Sequence, residues 1–235
     1  MPRVQRQAPG GVVYHVLNRG VGRMTLFETG EDYAAFERVM RRSQDCEPGV
    51  RLLAYCLMPN HWHLLLWPRE NGELGRFMQR LTITHARRWQ EHREAVGSGH
   101  VYQGRFKSFP VQTDGHFLTV ARYIERNALR AGLVSRAEDW RWGSLSRWMH
   151  NRAGEREEEE RPALSAWPVE RPRHWRVLVN TPLNDVEMEA LRSCVQRGRP
   201  FGSEKWIQVT ARRLGLDSTF RRRGRPRAGS VKESS

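Results

Sequence analysis

The strongest constraint in this 235-residue sequence is a pair of adjacent apolar runs, Arg51 to Met58 and His61 to Trp67, joined at Pro59-Asn60. Each run has strand length, and the Pro-Asn step between them is a turn signal, so the pair reads as a β-hairpin. A chain with such a hairpin must bury it, and the rest of the fold has to supply the cover. Two histidines interrupt the second run, His61 and His63. Two residues apart on a strand, they project from one face, while Trp62, Leu64 and Leu66 project from the other and can pack against helices. An imidazole buried without a partner costs about 1–3 kcal/mol, so the pair needs something to bind.

The elements on either side of the hairpin follow from pattern. Val12 to Leu17 is rich in β-branched residues and ends at the turn signal Asn18-Arg19-Gly20. Thr29-Gly30-Glu31-Asp32 has the form of a helix N-terminus, with Tyr33, Phe36 and Met40 as the apolar stripe behind it. After the hairpin, Leu74, Phe77, Leu81, His85 and Trp89 recur at the spacing of a long amphipathic helix. Arg105 to Gln112 reads as an edge strand, because Pro110 has no N–H to give to a ladder. Asp114 then caps a helix striped by Phe117, Ala121, Ile124, Ala128 and Ala131 and stopped by Gly132. The order β-α-β-β-α-β-α predicts an α+β fold: a ferredoxin-like split βαβ, an antiparallel sheet with helices on one face, plus one extra helix.

Four segments are expected: a principal domain over 1–149, an acidic, Pro-containing linker over 150–172, a small helical extension over 173–220, and a basic tail over 221–235. Within the extension, Asp185 to Arg197 and Ser203 to Leu214 read as two short helices, with Trp206, Ile207, Ala211 and Leu214 as packing residues of the second.

Charge narrows the partner. Forty Lys and Arg against 26 Asp and Glu leave +14, a balance that suits a polyanion, most often nucleic acid. From Arg192 onward there are 12 basic and 3 acidic residues, so the excess concentrates near the C-terminus. No apolar run approaches the ~18 residues of a membrane span, and the N-terminus lacks the apolar core of a secretory signal. Three scattered cysteines, Cys46, Cys56 and Cys194, argue against a disulfide framework and for a reducing cytoplasm.

The extra helix carries the second half of the chemistry. Tyr123, Asn127 and Arg130 form a polar line beside its apolar stripe. Two histidines and a side-chain amide form a candidate metal-binding set, and the tyrosine is a candidate nucleophile beside it. Hydrogen-bonded core or surface histidines remain the alternative at this point. His15, on the first strand, either faces the same site or is a satisfied core histidine, with core the favoured reading, and His85, His92, His100 and His116 have no usable spacing.

Pro59-Asn60-His61-Trp62-His63 followed by Tyr123-Ile124-Glu125-Arg126-Asn127 resembles the HUH superfamily of single-tyrosine (Y1) transposases of the IS200-like type. The similarity is greatest to the REP-associated tyrosine transposases. Gln103-Gly104-Arg105-Phe106-Lys107-Ser108, Arg199-Pro200-Phe201-Gly202 and Gly224-Arg225-Pro226-Arg227 add to it. The resemblance implies a metal-dependent enzyme that nicks and joins single-stranded DNA at REP-type palindromic hairpins through a 5′-phosphotyrosine. Tyr123 would be the nucleophile, His61 and His63 the ligands of Mg²⁺ or Mn²⁺, and Asn127 would stand where related enzymes supply a third ligand, often glutamine. A cation is chemically apt, since only about one free tyrosine in a thousand is phenolate at pH 7.

DNA contacts are expected from Arg105, Lys107, Arg122, Arg126 and Arg130, and from Arg221, Arg222, Arg223, Arg225 and Arg227 in an arm similar to an AT-hook. The implied protein is cytoplasmic and nucleoid-associated, a monomer or homodimer. Two alternatives stand beside this reading: a catalytically silent DNA-binding protein that recognises such hairpins, and a nuclease that activates water.

Overall fold

The computed structural model describes residues 8–150 and 160–220. Four strands, β1 (Val13–Arg19), β2 (Val50–Met58), β3 (His61–Pro68) and β4 (Lys107–Val111), form one sheet in the order β2-β3-β1-β4. All three pairings are antiparallel. The crossovers are α1 (Gly30–Cys46) and α2 (Glu73–His92), which makes the ferredoxin-like plan expected from the element order. A capping box sets the start of α1: Thr29 accepts from the Asp32 N–H, and the Asp32 carboxylate accepts from the Thr29 N–H.

The two crossover helices cover one face of the sheet, where Tyr14, Val16, Tyr55, Trp62, Leu64 and Leu66 meet Phe36, Met40, Phe77 and Leu81. The opposite face carries Val13, Leu53, Ala54, Cys56, Leu65 and Phe109. It is closed by α3 (Gly115–Glu125) and its near-continuation α4 (Asn127–Arg130), with Phe117, Val120, Ala121, Ile124 and Ala128 facing inward. Both faces are therefore dry. That explains why β2 and β3 read as unbroken apolar runs rather than alternating ones.

The rest of the chain adds to this second layer. α5 (Ser144–Met149), α6 (Trp175–Asn180) and α7 (Asp185–Arg197) deliver Leu145, Trp175, Val179, Leu191 and Cys194 to the same core, and Phe201 follows them. α8 (Glu204–Arg213) buries Thr210 and Ala211. The helices expected over Asp185–Arg197 and Ser203–Leu214 are thus present. α6 is an addition that the sequence pattern did not reveal.

The expected linker needs correcting over the part that is described. Ser165 N–H donates to the Leu52 carbonyl at 2.8 Å and the Trp167 indole N–H to the Leu53 carbonyl at 2.7 Å. These carbonyls lie at a β-bulge between Leu52 and Ala54, which brings both Leu53 and Ala54 to the second face. Arg161 makes a two-pronged contact with the buried Glu37 carboxylate at 2.9 and 3.1 Å, and the Tyr55 hydroxyl donates to that carboxylate at 2.5 Å. Residues 161–167 are therefore a strap along β2. At the other edge, Phe201 pairs with β4: its N–H donates to the Pro110 carbonyl, and its carbonyl accepts from Gln112. Among the described residues, no helix is long and apolar enough to cross a membrane. Arg221, Arg222, Arg223, Arg225 and Arg227 lie outside the described residues.

Candidate active site

His61 and His63 occupy the start of β3, next to the central strand β1, with Leu17 directly opposite His63 in the ladder. Both project toward the tyrosine helix. Their rings meet edge-to-face at 5.1 Å between centroids. His63 is buried and His61 half-buried. The Nδ1 of His61 donates to the Asn60 side-chain oxygen at 2.7 Å, which leaves its Nε2 with a lone pair.

Tyr123 comes from α3, one strand-to-helix layer away. Its ring stands perpendicular to that of His63, with centroids 5.7 Å apart. Tyr123 is 7% exposed, so the ring is packed while its edge reaches the surface. The Arg130 guanidinium lies 5.3 Å from the Tyr123 ring centroid, a cation–π placement that sets a positive charge beside the phenol. The structure therefore brings His61, His63, Tyr123 and Arg130 together.

His15, which reads as a core residue from sequence, is the fourth ring of this cluster. It is fully buried, its Nε2 lies 2.8 Å from the Nδ1 of His63, and the two rings lie edge to edge, parallel to within 7°. It also meets Tyr123 edge-on at 6.1 Å and Phe109 at 4.8 Å. The signal for it was the strand order. In a ferredoxin-like sheet β1 lies beside β3, and Val13, His15 and Leu17 share one face.

Burial keeps all three imidazoles neutral. It lowers His15 to about 3 and His61 to about 4, where Arg19 and Arg130 add to the effect. His63 is held well below the ordinary histidine range by burial and then by its neighbours His15, His61, Arg130 and Arg19. Neutral rings are what metal ligation requires. The charged groups acting on the site are arginines, so its field favours an anion.

These donors fit a divalent cation only in part. The two histidines suit one, since their Nδ1 atoms are engaged and Nε2 is the nitrogen left for ligation. Asn127 does not suit one as placed. It is fully buried, its amide nitrogen donates to the Tyr123 carbonyl at 3.3 Å, and its oxygen accepts from Arg130 at 2.7 Å. In this structure Asn127 holds Arg130 in place rather than presenting an oxygen to the histidines. Among the described residues, no group of three or more His, Cys, Asp or Glu is placed to hold a metal ion.

The arginines expected on DNA divide into two sets. Arg105 and Lys107 are exposed, and Arg130 is exposed at the site. Arg122 donates to the carbonyls of Thr181 and Pro182, both at 2.8 Å. Arg126 donates to those of Val179 and Asn180, at 3.0 and 2.5 Å. These two therefore tie α3 to the C-terminal end of α6, a favourable place for a cation, through N–H groups that are then not available to phosphates. The reason is topological, because α6 docks on the outer side of the tyrosine helix.

Comparison with known proteins is consistent with this geometry. Residues 10–127, half of the chain, match the family described as IS200-like transposases. No curated protein sequence matches. A solved REP-associated tyrosine transposase bound to a REP hairpin aligns over 63% of this chain and 84% of its own, at 18% identity and a TM-score of 0.47. A candidate transposase of Deinococcus radiodurans R1 aligns over 53% and 93%, at 19% identity and a TM-score of 0.38. The matched residues begin just before β1 and run through the paired histidines to the tyrosine and the asparagine one turn after it: the chain belongs to the IS200-like transposase family.

Proposed function

We propose that this transposase nicks and rejoins single-stranded DNA at REP-type palindromic hairpins, with Tyr123 as the nucleophile. The observation that carries the reading is the perpendicular contact of Tyr123 with His63, 5.7 Å between ring centroids, beside a second histidine whose Nε2 is unengaged. A silent DNA-binding protein has no need of a phenol set against paired neutral imidazoles. The REP-associated subgroup rests on the sequence segments around Arg105 and Phe201 and on the basic C-terminal arm.

In this reading the Tyr123 oxygen attacks the scissile phosphorus. The new P–O bond to tyrosine forms as the P–O3′ bond breaks, the phenol proton passes to solvent, and the departing O3′ takes up a proton. The 5′-phosphotyrosine keeps the energy of the phosphodiester, so a second 3′-hydroxyl can displace Tyr123 and reseal DNA without ATP. His61 and His63 would hold Mg²⁺ or Mn²⁺ through Nε2, which supplies charge neutralisation at the scissile phosphate. Arg130 contributes positive charge on the tyrosine side, and Asn127 fixes Arg130. Arg105 and Lys107, both exposed, would meet flanking phosphates.

The test is incubation with Mn²⁺ or Mg²⁺ and end-labelled single-stranded hairpin oligonucleotides, read on a denaturing gel. A covalent protein–DNA adduct that disappears in Tyr123→Phe is the expected result. Cleavage that survives in Tyr123→Phe would replace this reading with a water-activating nuclease, and binding without cleavage would replace it with a silent binder.

A further inference from the structure

His15 sits at the junction of the two halves of the site, touching His63 through a hydrogen bond and Tyr123 through a ring edge. We propose that His15 is a positioning residue: its Nε2 accepts the Nδ1–H of His63, fixing the tautomer and ring plane in which the His63 Nε2 carries the lone pair that faces the site.

The argument runs from proton counting. One proton is shared across the 2.8 Å contact between two neutral rings. If His15 donated it, His63 would accept at Nδ1 and hold its own proton on Nε2, which cannot then bind a cation. If His63 donates, its Nε2 is a lone pair and His15 carries its proton on Nδ1. That Nδ1 is buried without a hydrogen-bond partner in either arrangement, so the orphan marks His15 as costly to keep. It is the need for a lone pair on the His63 Nε2 that selects the second arrangement. A core chosen only for stability would not keep such an atom, since an orphaned buried polar group costs about 1–3 kcal/mol. Its retention makes sense if the acceptor it leaves for His63 has a use. The partner of a metal-ligating histidine is most often a carboxylate, a backbone carbonyl or water. Here a second imidazole takes that place. It accepts a proton while adding no negative charge to a site whose field is set by Arg19 and Arg130.

The geometry has a second part. The parallel rings fix the plane of His63, and Phe109 packs edge-on against the far ring at 4.8 Å. His15 therefore defines both which nitrogen of His63 is free and where it points. It does the same service for His63 that the Asn60 oxygen does for His61.

The inference rests on the metal reading given above, and the experiment separates the two. The imidazole tautomers of the metal-free full chain are read by ¹⁵N-edited NMR in wild type, His15→Phe and His15→Gln. The proposal expects His63 as the Nδ1–H tautomer in wild type, retained in His15→Gln, whose side-chain oxygen replaces the acceptor, and lost in His15→Phe, which keeps the ring volume. An Nε2–H tautomer of His63 in wild type overturns it. Mn²⁺ titration followed by electron paramagnetic resonance is the second readout, in the presence of a single-stranded hairpin oligonucleotide and on a Tyr123→Phe background that prevents cleavage. His15→Phe should weaken Mn²⁺ binding about 10–100-fold and His15→Gln should restore most of it. Equal affinity in all three proteins also overturns the proposal. If wild type holds no Mn²⁺, the metal reading fails and the tautomer result alone decides the role of His15.

Discussion

The strap along β2 makes a demanding test of the fold, because the sequence around it reads as a linker. Arg161 is 16% exposed and makes a two-pronged contact with Glu37, whose side chain is 3% exposed. Replacing Arg161 by Met removes both charge-assisted hydrogen bonds and leaves the carboxylate in the core with the Tyr55 hydroxyl as its remaining donor. Breaking a buried ion pair from one side costs about 3–5 kcal/mol when both partners are fully buried. Water can reach the vacated Arg161 site, so the expected loss is about 2–4 kcal/mol. The double variant Glu37→Met with Arg161→Met should lose less than Arg161→Met alone, because no charge is then left unpaired. Urea unfolding followed by tryptophan fluorescence measures both. A loss below about 0.5 kcal/mol for Arg161→Met, or a double variant no better than the single, would show that residues 161–167 hang loosely on the sheet and that the strap is not part of the folded core.

Three other predictions use different parts of the molecule. His85 is buried with its pKa lowered by burial to about 3, and its Nδ1 contacts the Tyr102 hydroxyl. Since the unfolded chain takes up this proton first, near pH 6.5, its contribution is complete above that pH and is lost as pH falls toward 3. At pH 5 the loss is about 2 kcal/mol. His85→Gln should flatten the stability profile between pH 7 and 5 by that amount, and an unchanged slope would refute the assignment. Arg122→Ala and Arg126→Ala should lower the thermal midpoint by several degrees while leaving single-stranded DNA affinity within about twofold; a large affinity loss in either would return them to the phosphate contacts. Arg105→Ala and Lys107→Ala should do the reverse, weakening DNA binding and reducing its salt slope by about one each.

The parts of the fold that were legible in the sequence were those where one physical signal dominated. The strands, the two crossover helices and the capped tyrosine helix announce themselves by periodicity and caps, and the sheet order follows from the split βαβ plan. The paired histidines stood out because polar groups in an apolar run are costly, and Tyr123 through the polar line beside its helix stripe and the family resemblance its segment carries. What stayed hidden depended on which surfaces meet. Arg122 and Arg126 look like a basic face until α6 is seen to end against them. Asn127 looks like a third metal ligand beside the histidines until its oxygen is found accepting from Arg130. His15 needed the pairing of β1 with β3 before its partner was visible. The strap was masked by composition, since an acidic run precedes the few residues that pack.

Both edges of the sheet are covered by chain that is synthesised late. The four strands are complete at Val111, whereas the cover of β2 starts with Trp142 and Gly143 and is extended by Leu164, and that of β4 waits for Phe201. At about 5–20 residues per second, the ninety residues from Val111 to Phe201 take roughly 5–20 s to appear. Until that interval ends the β4 edge of the nascent sheet is unsealed, and for its first part the β2 edge is too; unsealed edges are templates for pairing with other chains. A copy truncated by a frameshift between Asn127 and Phe201 would keep its histidines and tyrosine but never close its sheet. Damaged copies of the gene should therefore yield aggregates rather than free transposase domains.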